Sequence, residues 1–80
     1  MMIVELIDQD DFRNRLLEIG VPVPAGSGPE QAARIAVEVL ATRGLPHLAE
    51  TVNGLMERTD VMHPEVRAAI ESHLLPALAS

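Results

Sequence analysis

Apolar positions along this chain recur every three or four residues in four stretches, and each stretch stops at a glycine or proline signal. Phe12, Leu16 and Ile19 keep helical spacing, with Leu17 beside them. Ala32, Ala33, Ile35, Ala36, Val37, Val39, Leu40 and Ala41 crowd a second stretch, apolar around most of its circumference. Leu48, Val52, Leu55 and Met56 form a third stripe, and Val66, Ile70, Leu74 and Leu78 a fourth at steps of four. The breaks are Gly20-Val21-Pro22-Val23-Pro24, Gly26-Ser27-Gly28-Pro29, Gly44-Leu45-Pro46 and Met62-His63-Pro64. Each pairs a helix-ending signal with a helix-starting one.

The pattern predicts an all-α fold, a compact bundle of four to five short helices in one domain spanning residues 1–80, with an ordered core over about 8–75. The first helix starts at Asp8 or Asp10, because Asp caps well and the acids at 8, 10 and 11 suit the positive end of the helix dipole. Gly20 ends it. Ser27-Gly28-Pro29-Glu30 reads as a capping box for the second helix, with Ser27 as cap and Glu30 reaching back. A helix apolar on so many sides belongs in the middle of the bundle. The third helix is expected from Pro46 to about Arg58, and the fourth from Pro64, with Pro76 kinking or ending it near Leu75 and Ala77–Ser80 fraying. Short loops predict antiparallel neighbours. Residues 1–7 are β-branched but lack a second strand-like run to pair with, so helix or ordered coil is expected there.

Composition narrows the function. Phe12 is the only aromatic residue, so no stacking platform for bases exists. There is no cysteine, which removes disulfides and thiolate metal sites. The net charge is −6, and all six basic residues are arginine. That balance argues against nucleic acid and anionic membranes as partners. No run approaches the roughly 20 apolar residues of a membrane span, and Glu5 interrupts the short apolar start. A cytoplasmic protein is expected.

The chemistry-bearing residues have structural explanations. His47, His63 and His73 never share a helix turn, so no metal site is expected. Ser27, Ser72 and Ser80 lack a nucleophile motif, and Gly26-Ser27-Gly28 lacks the lysine of a phosphate loop. No enzyme, cofactor or metal is expected. Asp11 and Arg15, Glu30 and Arg34, Arg34 and Glu38, and Arg67 and Glu71 stand four apart, as helix-face ion pairs do. The acidic edge at Asp8, Asp10 and Asp11, extended by Glu50 and Glu57, is the candidate interaction surface.

Taken in order, Asp11-Phe12-Arg13 through Gly20-Val21-Pro22, Gly28-Pro29-Glu30 opening an Ala/Val/Leu helix, Arg43-Gly44-Leu45, and His63-Pro64-Glu65-Val66-Arg67 resemble the bacterial effector-associated domains, which belong to the death-like helical class. The resemblance covers about residues 10–75. It implies an adaptor that associates with a matching small helical domain, or with itself, and recruits an effector in bacterial conflict or signalling systems. It transfers no functional residue. A stand-alone acidic inhibitor or immunity-type protein and an acyl or peptidyl carrier are the alternatives. The carrier would need Ser27 to bear a phosphopantetheine arm.

Overall fold

The computed structural model describes residues 6–79. They form an all-α globule: α1 (Gln9–Glu18), α2 (Pro29–Thr42), α3 (Leu48–Met56), a 3-10 turn (Thr59–Val61), α4 (Pro64–Ala69), a π-helical turn (Ile70–Leu74) and α5 (Leu75–Ala79). The last three pieces follow one another without a break and act as a single terminal helix.

Asp8 caps α1. Its carboxylate accepts the Asp11 N–H at 3.0 Å, while the Asp11 carboxylate accepts the Asp8 N–H at 3.4 Å, so two otherwise orphaned donors are satisfied reciprocally. At the other end, Gly20 takes φ +98°, the Gly20 N–H reaches Leu17 O, and the Val21 N–H reaches Leu16 O. This is a Schellman ending, and its apolar partners Leu16 and Val21 are both buried.

The start of α2 differs from the expected box. Gly28, not Ser27, is the N-cap, and no side chain caps the helix. Pro29 at the first helical position leaves one fewer N–H to satisfy. Ser27 turns inward instead, 6% exposed, with its N–H bonded to Pro24 O. Helix α3 also starts later than expected, at Leu48, because Leu45–Leu48 first closes a turn through the Leu48 N–H and Leu45 O.

The expected antiparallel pairing of α1 and α2 does not hold. Their N-termini lie at the same end of the molecule, since Asp8, Gln9, Asp10 and Pro29 border one depression. The connection is long enough to allow this: the stretch from Ile19 to Gly28 can reach about 33 Å, whereas α1 is about 15 Å long. Pro22 and Pro24 keep it extended, and Val21 and Val23 bury themselves along the way.

The N-terminal lead-in finds a partner after all. The Ile7 N–H donates to Val61 O at 2.7 Å, and the His63 N–H donates to Ile7 O at 2.9 Å, a single parallel bridge. The missing partner strand is only a turn, too short to show as a strand pattern. Ile7 and Met62 are both buried beneath it. The expectation for residues 1–5 lies outside the described residues.

Of the two outcomes expected at Pro76, a kink or an end, the end does not occur: the terminal helix continues to Ala79, and Leu78 packs against the core. A proline lacks an N–H and its ring clashes with the carbonyl four residues back. The preceding turn avoids that clash by widening, with the Leu75 N–H bonding to Ile70 O five residues back.

The core is aliphatic around one ring. Phe12, Leu16, Leu48, Val52, Leu55, Val66, Ile70 and Leu74 are all essentially inaccessible. Helix α2 occupies the centre and packs against α1, α4 and the π turn, as its nearly all-round apolarity predicts. It does so through Ala32, Ala33 and Ala36, which let backbones approach closely.

Candidate functional site

Three helix starts meet at one end of the molecule, and the bridge explains why. Asp8 and His63, the caps of α1 and α4, each directly follow a bridged residue, Ile7 and Met62. Two helices therefore leave one clamp side by side. The start of α2 joins them through Pro29, which is buried.

Two neighbouring depressions mark this end. The larger, about 600 Å³, runs between the start of α2 and the terminal helix; Gly28, Pro29, Ala68 and Ala69 provide its small, apolar floor and Glu30, Glu65, Ser72 and His73 its polar rim. The smaller, about 330 Å³, is bordered by Asp8, Gln9, Asp10, Pro29, His63, Glu65 and Val66. Pro29 and Glu65 border both, so the two adjoin as a groove over the helix starts.

The carboxylates on this groove are unequally matched. Glu30 Oε1 accepts from Arg34 Nη2 at 2.9 Å and lies 3.6 Å from His73 Nε2, linking α2 to the π turn when His73 is protonated. Asp10 lies 3.5 Å from Arg13, and Asp8 is engaged in its cap. Glu65 has no cationic partner among the described residues. Its own N–H donates to His63 Nδ1 at 3.4 Å. Ser72 and His73 both lie in the widened turn, so the geometry that accommodates Pro76 also sets one rim of the groove.

The acids named from sequence divide between two places. Asp8 and Asp10 border the smaller depression, and Asp11 completes the cap of α1. Glu50 and Glu57 belong to α3 and its C-cap and border neither depression. Glu50 lies 3.8 Å from His47 on the exposed start of α3. Of the expected ion pairs, Glu30–Arg34 and Arg67–Glu71, at 3.4 Å, form. Asp11 instead turns back to the Asp8 N–H, and Arg34 selects Glu30 over Glu38. Glu65, Ala68 and Ala69 went unnoticed in the sequence as groove residues. No local signal marks them, because the wall opposite them is formed by residues 28–30.

Among the described residues, no group of three or more His, Cys, Asp or Glu side chains could hold a metal ion. No helix there is long and apolar enough to cross a membrane. Ser27, buried ahead of Pro29, is poorly placed to carry a bulky prosthetic arm. No protein family matches this sequence, and no curated protein or solved structure shows significant similarity to it.

Proposed function

We propose that this chain is a protein–protein interaction module, an adaptor that associates with another small helical domain or with a copy of itself. In the finer form of this reading it is an effector-associated, death-like domain that recruits an effector in a bacterial conflict or signalling system and works in the cytoplasm.

The observation that carries the reading is the groove over the helix starts. Its floor is small and apolar, its rim is polar and predominantly acidic, and it is open to solvent along its length. Small residues admit another chain's backbone, and charged rims set which partner is accepted more than how tightly it binds. The aliphatic interior below is closed by packing, so the chemistry the chain offers to other molecules lies on its surface.

The test is association of the full chain with the products of adjacent genes, followed by light scattering on a sizing column. A defined complex at tens of micromolar is the expected result. Absence of any complex, at low salt as well as high, with those products and with itself, would remove the proposal. The stand-alone inhibitor reading shares the acidic surface and differs in partner: it expects loss of catalysis by a basic enzyme on binding.

A further inference from the structure

We infer that the groove between the start of α2 and the terminal helix takes an arginine-bearing segment of a partner protein, with Glu65 as the main anchor. The inference rests on the interaction-module reading and specifies the chemistry of its partner.

The argument starts from charge. Glu65 borders both parts of the groove and has no cationic partner among the described residues. Glu30, on the facing wall, already holds the guanidinium of Arg34 at 2.9 Å, which leaves Glu65 as the anchor for an incoming cation. The chain as a whole carries −6, so a basic segment is drawn in and an acidic one repelled.

The floor then distinguishes the cation. Ala68, which is exposed, offers apolar surface to an aliphatic stem above the buried Pro29 and Ala69, while the carboxylates stand on the rim. Arginine satisfies both demands: its methylenes lie along apolar surface and its planar fork binds carboxylates through paired hydrogen bonds. Lysine can lay its stem on the same floor, but its compact, strongly hydrated charge lacks the fork that pairs with a carboxylate. Gly28, Ala68 and Ala69 carry no long side chains, so the partner's backbone can come close.

The experiment uses the full chain, isotopically labelled, titrated with a short blocked alanine-based peptide carrying two arginines one helical turn apart. Counterparts with lysine and with glutamine serve as controls. Amide shift changes should concentrate at Glu30, Glu65, Ala68, Ala69 and Ser72. Binding should fall in the order arginine, lysine, glutamine, and Glu65→Gln should weaken the arginine peptide about threefold to fivefold, as expected for a partly exposed ion pair.

Shifts spread equally over Glu50 and Glu57 of α3 would mean that only general acidity attracts the peptide, and would overturn the inference. So would an unchanged affinity in Glu65→Gln, or no binding at millimolar peptide. Each of these failures leaves the module reading intact, since that is tested on native gene products. A groove that binds the peptide beside a chain that binds no native protein would separate the two in the opposite sense.

Discussion

Helix α2 and helix α3 are anchored in the core by opposite means. Along α2, past the buried Pro29 at its start, the buried residues are Ala32, Ala33 and Ala36, with Val39 toward the end. Along α3 they are Leu48, Val52 and Leu55. Alanines bring the α2 backbone close to α1, α4 and the π turn, whereas the large side chains of α3 reach the core from a backbone held further away. Burial alone therefore does not describe how a helix is anchored. One helix is positioned by the shortness of its side chains and the other by their length.

The comparison predicts opposite sensitivities. Truncating α3 should be most damaging, because a long side chain leaves a void when removed. Leu55→Ala should destabilise by about 2–5 kcal/mol, a large share of the roughly 4–12 kcal/mol available to a domain of this size. Chemical denaturation followed by circular dichroism measures it, and a loss below 1 kcal/mol would mean that α3 is not anchored as described. Enlarging α2 is the mirror experiment. Ala36→Leu should destabilise by about 1–3 kcal/mol through overpacking, and a neutral result would show slack in the seam.

Between the two helices stands Gly44, where the chain leaves α2 at φ +77°. A methyl group there would meet nothing within 4 Å, so only the backbone resists it. Gly44→Ala should destabilise by about 1–2 kcal/mol, visible as a lower denaturation midpoint with an unchanged slope. The smallest effect belongs to the surface. Arg67→Ala removes the exposed pair with Glu71 and should change stability by less than about 0.5 kcal/mol, with any change shrinking as salt is added.

Much of this architecture was legible because it rests on local rules. Helical spacing placed Phe12, Leu16, Val52, Leu55, Val66 and Ile70 inside, and all are buried. The Asp8 cap and the Gly20 and Gly44 endings are written in single residues whose preferences follow from backbone sterics. The misreadings share a cause. Ser27 and Glu30 satisfy the letter of a capping box, yet the fold buries one and turns the other toward Arg34 and His73. Pro76 allows either a kink or an end; local widening of the helix permits continuation while Leu75 and Leu78 pack on the core. The candidate surface was half legible. Asp8 and Asp10 do border the groove, while its other wall lies 55 residues beyond Asp10, at Glu65 and further on.

By itself, then, the order of residues determined which segments coil, where most of them begin and end, and which faces turn inward, since those outcomes depend on interactions within a few positions. Only the tertiary structure decided that α1, α2 and α4 start at one end and enclose a groove there. That arrangement depends on two hydrogen bonds between Ile7 and the turn before α4 and on a proline-rich connection long enough to retrace α1. Contacts between such distant positions leave no periodic mark, because each is one meeting of surfaces and not a repeated spacing.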